Sequence, residues 1–556
     1  MSKDMIDIEI KWGNYCLKKK VRAGILIKEL LPMSVVKPEP VIVAAKINNN
    51  IRELTYKLSK DCKIEFIDLS DIDGNRIYQR SLSFIFIKAA KEILGSCSVT
   101  IEHSLSKGLY CEIKYQRDIN EKDVTDIKER MKEIIDQDIP FNKEEITCSE
   151  AMTIFREQEM DSKVKLLKFR KKDFVKIYTC GWLKNYFYGY MVPSTGYIKY
   201  FDLKFYEPGV ILRFPQIDKP NCLPEYIEQK KLAGIFKEAE DWGELMKLSY
   251  VSDLNERIET GTYEEVIRIT EALHEKKIAQ IADWITKDTK RIILIAGPSS
   301  SGKTTFAQRL SIQLKVNGLD PVAFSTDDYF VERDQTPVDE NGEYDYESLN
   351  ALDLDLFNQH LKDLIAGKEV DLPVFNFIKG KKEFGKRILK ILSNQPIIIE
   401  GIHGLNNKLT EKIPDHDKFR IYISALTQLN IDNHNRIPTT DTRLLRRIVR
   451  DSKFRGHSAK TTLQLWTSVR RGEERNIFPF QEQSDAMFNS ALVYELAVLK
   501  KYAEPLLNEI KEDEEEYTEA KRLLKFLSYF LSIENENAIL NNSIIKEFIG
   551  SSCFYD

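Results

Sequence analysis

Apolar positions along this chain follow several successive rhythms. Ile6, Ile8 and Ile10 alternate with polar residues, the period of a half-buried strand, and Val41-Ile42-Val43-Ala44-Ala45 is a second apolar run of strand length. Asn48-Asn49-Asn50 follows with turn residues that tolerate positive φ. The first sixty residues therefore predict short strands with one helix. From Arg80 to Leu94 the period lengthens to that of a helix, with Leu82, Ile85, Phe86, Ala89, Ala90 and Ile93 on or near one face. A second helix is predicted over Glu121–Ile135, rich in alternating charge. Phe187–Pro215 is aromatic and strand-like, punctuated by Pro193-Ser194-Thr195-Gly196 and Pro208-Gly209, and three prolines between Pro215 and Pro224 mark a boundary. Leu232–Lys287 then has helical spacing throughout. From Arg291 strands and helices alternate, which predicts a parallel α/β sheet with strands at Ile292–Ala296, Pro321–Ser325, Ile397–Glu400 and Phe419–Ser424. Beyond about Ala491 the pattern is helical again, and the acidic run Glu512-Asp513-Glu514-Glu515-Glu516 is expected on a solvated helix face.

Composition narrows the class. A chain of 556 residues exceeds one hydrophobic core, so several domains are expected. With 31% charged residues and a net charge of −4, it is not a globally basic nucleic-acid binder. No apolar stretch approaches the ~20 residues of a membrane span, and Met1-Ser2-Lys3-Asp4-Met5 lacks the apolar segment of a secretory signal. Eight cysteines lie scattered without a C-x-x-C pair, as expected for reduced thiols in a cytoplasmic protein.

The strongest chemical signal is Gly297-Pro298-Ser299-Ser300-Ser301-Gly302-Lys303-Thr304, directly after the apolar strand Ile292–Ala296 and continuing through Thr305 into an amphipathic helix. This is the G-x-x-x-x-G-K-[ST] loop in its required setting. Backbone N–H groups of such a loop wrap a phosphate, and the helix N-terminus adds its positive end. Lys303 would reach the β- and γ-phosphates of ATP, and the Thr304 hydroxyl would hold Mg²⁺. Carboxylates stand at two strand ends, Asp327 and Asp328 in one place and Glu400 in the other, where open α/β sheets form their ligand crevice. A basic helix, Arg443 to Arg455 before Gly456, puts Arg443, Arg447 and Arg450 on one face with Arg446 beside it. Phosphoryl transfer needs guanidinium groups of this kind over the transferring group, often on a lid.

From about Lys290 to Leu507 these motifs resemble the uridine kinase / phosphoribulokinase family. The pieces occur in family order: Gly297–Thr305, Ser325–Phe330, Gly342-Glu343-Tyr344-Asp345-Tyr346, Leu372–Phe377, Ile399-Glu400-Gly401 and Arg446–Gly456. The resemblance implies ATP and Mg²⁺ as cofactors and a nucleoside as acceptor. It implies Asp327 as general base, Glu400 as the Mg²⁺-associated acid and Asp345 on the ribose hydroxyls. Arg447 and Tyr329 would lie on the substrate side, and Arg450 and Arg455 in the lid over ATP. Two positions depart from the uridine–cytidine kinases: Phe375 replaces a tyrosine and Gly380 a histidine around the pyrimidine. His457 follows Gly456 where those kinases carry another lid arginine.

Residues 1 to about 225 resemble the N-terminal region of threonyl-tRNA synthetases. Val43–Leu54 looks like their small β-grasp (TGS) module, and Arg80–Leu94, Ser104–Tyr110 and Val192–Gly196 look like the following editing domain. Such editing sites carry an H-x-x-x-H and a C-x-x-x-H pair, plausible zinc-binding ligands by chemistry. Here the four positions are Ser81, Ile85, Phe187 and Met191, so hydrolytic editing is not expected. His103 and Cys111 nearby are expected to be structural, and the aromatics between Trp182 and Tyr190 to pack a sheet. Together these readings give an α/β multidomain chain: a β-grasp module at 1–66, an editing-like α+β domain at 67–225, a helical linker at 226–288, a P-loop kinase domain at 289–490 and a helical segment at 491–556. Homo-oligomerisation is expected. Two competing readings stand: an RNA-associated role, with nucleotide gating tRNA or ribosome binding, weakened by the near-neutral charge, and a kinase of another small hydroxyl acceptor, which the Phe375 and Gly380 departures keep open.

Overall fold

The computed structural model describes residues 5–12, 15–31, 40–338, 342, 344–376 and 379–554. The first four residues, Glu343, Phe377 and Ile378, which enter the sequence motifs, lie outside this set. Strands Met5–Trp12, Tyr15–Arg22, Ile42–Ile47, Asn50–Glu53 and Cys62–Asp68 form the first sheet, in the spatial order second, first, fifth, third, fourth. The first and fifth strands run parallel and the other pairs antiparallel. Ile6, Ile8 and Ile10 pack with Ile42, Ile64 and Phe66. The strand Tyr15–Arg22 escapes the period-two pattern because it is an edge, where exposed Lys18, Lys19 and Lys20 discourage further pairing. The one helix expected in this region is only a short 3-10 turn, Ile27–Leu30, among the described residues.

The helix Ile72–Leu94 starts earlier than its apolar period suggested, at Asp71, whose side chain accepts from the Asp73 N–H. It is buried on most sides, against the helix Glu121–Asp136 and a four-stranded sheet of Asp202–Tyr206, Gly209–Arg213, Gly108–Lys114 and Ser98–Leu105. Ile93, expected on the inner face, is exposed. The stretch 187–201 is not a strand; beyond Leu183–Asn185 the backbone is irregular, with one turn at Thr195–Tyr197. Its aromatics divide accordingly, Tyr186 and Phe187 buried and Trp182 exposed.

The long helical stretch resolves into Lys230–Met246, Val251–Glu259 and Tyr263–Lys287, separated at Lys247 and Gly261, both at positive φ. The nucleotide-loop half is a five-stranded parallel sheet in the order Val322–Ser325, Ile397–Glu400, Ile292–Ala296, Lys418–Ser424, Ala486–Asn489. The last strand was not predicted, being only four residues of Ala-Met-Phe-Asn. Ile293 and Ile295 face Phe306, Leu310, Ile281 and Ile285 on one side. Ile292 and Leu294 face Phe357, Leu361 and Ile399 on the other. Helices Glu495–Asn508 and Tyr517–Leu527 follow. The acidic run between them is a turn rather than a helix face, since adjacent like charges disfavour helix. Glu512 there accepts from Asn50 Nδ2 at 2.7 Å and Glu514 pairs with Lys460 at 2.8 Å.

A hairpin of the parallel-sheet half, strands Asn430–Asp432 and Asn435–Arg436, plugs into the editing-like half. Asp432 Oδ1 lies 2.6 Å from Lys163 Nζ, both fully buried, and Lys163 also donates to the Tyr186 carbonyl at 3.1 Å. Asn433 accepts from Ser162 Oγ, Asn435 donates to the Tyr186 carbonyl, and the His434 ring lies over Phe187. The two halves therefore share one buried polar seam.

Candidate active site

The strand Ile292–Ala296 delivers the chain into Gly297, and the helix Lys303–Val316 leaves from Gly302, which adopts φ 82°. Such a left-handed position favours glycine. The Lys303 ammonium folds back onto the carbonyls of Gly297 (2.9 Å) and Pro298 (3.3 Å), closing the loop. The hydroxyls of Ser300 and Ser301 are buried without a partner. Buried orphaned donors in a loop at a helix N-terminus suit a phosphate group. The Thr304 hydroxyl donates toward both oxygens of Glu400, at 3.2 and 3.3 Å. That hydroxyl–carboxylate pair suits Mg²⁺, a hard cation that takes one or two protein oxygens and completes its shell with phosphates and water. Among the described residues no three His, Cys, Asp or Glu side chains gather into a metal site of their own.

The electrostatics tie these groups together. Burial pushes the Glu400 carboxyl up to about 7, with Asp327 and Glu547 adding and Lys303 opposing. Burial also pulls the Lys303 ammonium below its usual range, while Glu400, Asp327 and Glu547 act to keep it charged. Asp327 follows the strand Val322–Ser325 in a short turn, Thr326–Tyr329, that starts when Ser325 Oγ accepts from the Asp327 N–H. Its side chain is open to the cleft, yet the surrounding protein mass lifts its carboxyl above the ordinary range, against Lys303 and Arg455.

The basic helix Thr439–Phe454 does more than the sequence implied. Arg443 and Arg446 are fully buried and grip the loop from inside, donating to the carbonyls of Ser299 (3.1 Å) and Ser300 (3.3 Å). Each is neutralised by a buried acid: Glu473 forks onto Arg443, and Glu495 accepts from Arg446 Nε at 2.5 Å. Glu473 also accepts from the Ser299 N–H at 2.9 Å. Arg447 reaches the Ser299 hydroxyl at 2.8 Å. Arg447, Arg450 and Arg455 all converge on the buried Asp451, at 3.2, 3.4 and 3.4 Å. Sequence reasoning missed Glu473 and Glu495, which no motif spacing marks, and gave no role to Asp451 inside the Arg446–Gly456 motif.

On the acceptor side, Phe375 packs edge-on to Phe330 at 5.6 Å, and Phe330 edge-on to Tyr346 at 6.4 Å. This aromatic run links the Asp327 turn to the loop holding Asp345. The Asp345 carboxylate accepts from the Glu347 N–H at 3.2 Å, which orients that loop. Glu347, also missed, has its carboxyl pushed up to about 7 by burial, with Glu473 adding and Arg447 and Lys303 opposing. Tyr329 needs correction as a substrate contact. It is 1% exposed, set edge-on to Phe357 and His360 and tilted against Phe324, and its hydroxyl faces His360 Nδ1 at 3.2 Å. In the Thr326–Tyr329 turn the two end residues, Thr326 and Tyr329, are buried and Asp327 between them is exposed. Gly380 has φ 66°, and a Cβ there would come within 2.8 Å of Arg333.

The emptied editing positions have closed into packing. Ser81 Oγ accepts from the Val192 N–H at 3.0 Å and lies 3.5 Å from Met191 Sδ, while Ile85 and Phe187 are buried. His103 stacks on Phe236 at 3.6 Å, and burial drops its imidazole to about 3, leaving it neutral.

Two kinds of known protein are similar to different parts of this chain. Residues 292–497 match the phosphoribulokinase / uridine kinase family. The matched segment begins at the strand before the phosphate loop and ends within the helix Glu495–Asn508; of the residues described around the loop, Glu547 lies outside it. The N-terminal part is similar to threonine–tRNA ligases. That of Symbiobacterium thermophilum is 28% identical over 181 residues, covering 32% of this chain and 28% of the ligase. That of Acetivibrio thermocellus is 26% identical over 200 residues, covering 36% and 31%. The chain spans less than a third of the length of either ligase. Among solved structures, a possible uridine kinase from Bacillus stearothermophilus is 21% identical with a TM-score of 0.26, covering 38% of this chain and 97% of its own.

Proposed function

We propose that this chain is an ATP-dependent nucleoside kinase, transferring the γ-phosphate of ATP to the 5′-hydroxyl of a nucleoside, with uridine the leading acceptor. The observation that carries this reading is the meeting, at the C-terminal ends of three adjacent parallel strands, of a phosphate loop, the Thr304–Glu400 pair and an exposed carboxylate, Asp327. The acceptor oxygen would form its bond to the γ-phosphorus as the bond to the β,γ-bridging oxygen breaks. ADP leaves, and the hydroxyl proton passes to Asp327. Mg²⁺ held by Thr304 and Glu400 would neutralise charge on the β- and γ-phosphate oxygens. Arg447, Arg450 and Arg455 are placed to compensate the charge of the transferring group once they exchange Asp451 for phosphate.

The acceptor pocket is more apolar than a pyrimidine pocket built around a histidine. Gly380 has neither a side chain nor space for one, and Phe375 presents a face without a hydroxyl. A site without polar base contacts discriminates weakly among bases. We expect ADP release in the presence of ATP and Mg²⁺ to depend on an added nucleoside and to differ by less than about tenfold between uridine and cytidine. A coupled ADP-release assay across a nucleoside panel checks this; release indifferent to every nucleoside would remove the assignment.

The N-terminal half supports a structural or regulatory role toward the kinase-family segment rather than RNA capture. Its former metal positions are packed with Ile85 and Phe187, and the Asn430–Arg436 hairpin fills the space beside them.

A further inference from the structure

The segment Ser543–Gly550 lies far along the chain from the phosphate loop, yet it is built into the loop's open end. Glu547 Oε2 accepts from the Thr305 hydroxyl at 2.8 Å and from the Thr305 N–H at 3.3 Å. Thr305 is the third residue of the helix-start sequence Lys303-Thr304-Thr305, whose N–H groups are those a phosphate loop offers to the α/β-phosphates. A carboxylate there has the charge and oxygen geometry of the group that the loop is shaped to receive. The same carboxylate lies in the field of Lys303, Glu400 and Arg450, so it stands at the junction of loop, metal pair and lid.

The backbone that carries Glu547 is firmly held. Ile544 and Phe548 are fully buried in the cluster of Phe306, Leu310 and Ile295. Ile544 presses on the loop so closely that a Cβ at Gly302 would meet it at 2.6 Å. Arg446 sits over the Phe548 ring at 4.9 Å, and Lys453 Nζ donates to the Ile549 carbonyl at 2.5 Å. Ser543 Oγ donates to Glu271 at 2.5 Å. Glu547 itself is only half-buried, whereas the other residues of the turn Ile544–Ile549 are buried. The anchor is therefore fixed, and among the described residues only the two bonds to Thr305 tie the half-buried carboxylate to the loop.

We propose that Glu547 is a built-in phosphate mimic, an autoinhibitory carboxylate that caps Thr305 when no nucleotide is bound and that ATP or ADP must displace. Its consequence is weaker nucleotide binding and faster ADP release, because binding is discounted by the fraction of molecules in which Thr305 is uncapped. The proposal rests on the nucleotide-binding reading of the loop. It assigns the Ser543–Gly550 segment a role in setting nucleotide affinity that no loop motif contains.

Calorimetric titration of the full chain with MgATP, and separately with MgADP, tests it. Glu547→Gln keeps size and loses charge, and is expected to tighten both nucleotides by about tenfold. Glu547→Asp keeps charge but withdraws the carboxylate by one methylene, and is expected to tighten them by a smaller factor. A thermal melt of each variant checks that the fold is retained. Unchanged or weaker binding in Glu547→Gln overturns the proposal while leaving the nucleotide site intact. Glu547→Asp binding like the wild type, with only Glu547→Gln tightening, also overturns it, since general charge repulsion would then suffice. Binding of neither nucleotide to any form overturns the loop reading itself, and the proposal with it.

Discussion

Replacing Asp327 by Ala is expected to lower kcat for acceptor phosphorylation by about 10³-fold, with the Kd for MgATP changed by less than about threefold. Asp327 is open to the cleft, next in space to Lys303, and outside the loop that holds the phosphates. Its removal therefore deletes a proton acceptor without deleting a phosphate contact. Lys303→Ala makes the contrasting control, since it removes the cation that closes the loop and should weaken nucleotide binding itself. The pH profile adds a second readout. Only ionised Asp327 can accept the hydroxyl proton, so the rate must fall as pH drops through its pKa. Surrounding protein raises that pKa, with Asp328 adding and Lys303 and Arg455 opposing, so the acid limb should lie above the ordinary carboxylate value of about 3.9. Steady-state kinetics of wild type and variant across pH, with direct titration of MgATP, measure both. Full activity in Asp327→Ala would transfer the role of base elsewhere.

The second large effect concerns the seam between the halves. Asp432→Ala strands the Lys163 ammonium in a fully buried site, where only the Tyr186 carbonyl and the Phe187 face remain. Breaking a buried ion pair from one side costs about 3–5 kcal/mol. We therefore expect a lower thermal midpoint and faster proteolysis at the hairpin Asn430–Arg436. The double replacement Lys163→Met with Asp432→Leu should recover part of the loss, because no charge is then left unpaired. Scanning calorimetry of the single and double variants checks this; equal destabilisation by both would mean that the ion pair itself is not what joins the halves.

Much of this was legible in the sequence, for reasons that particular residues make plain. The loop Gly297–Thr304 and the strand before it were readable because phosphate binding demands fixed residue types at fixed spacing. The positions of Asp327 and Glu400 at strand ends were readable because the apolar runs before them mark buried strands. The grip of Arg443 and Arg446 on the loop was not, because their partners Glu473 and Glu495 stand thirty or more residues away in sequence and obey no spacing rule. Glu547 was invisible for the same reason, 242 residues from Thr305. Tyr329 was misassigned because a motif position does not say which side of a turn faces the core. The strand Tyr15–Arg22 was missed because an exposed edge rich in lysine carries no apolar alternation. That Ser81, Ile85, Phe187 and Met191 carry no paired metal-ligating side chains was legible from residue type alone, but the hairpin Asn430–Arg436 that packs beside them could only come from the tertiary structure.

The most direct measurement follows label from the γ-phosphate of ATP in the presence of Mg²⁺ and uridine, with product separation by chromatography. The account predicts label in a nucleoside 5′-monophosphate, in amounts equal to the ADP formed and absent with Asp327→Ala. Label recovered only as inorganic phosphate, or ATP left intact with every nucleoside offered, would contradict it.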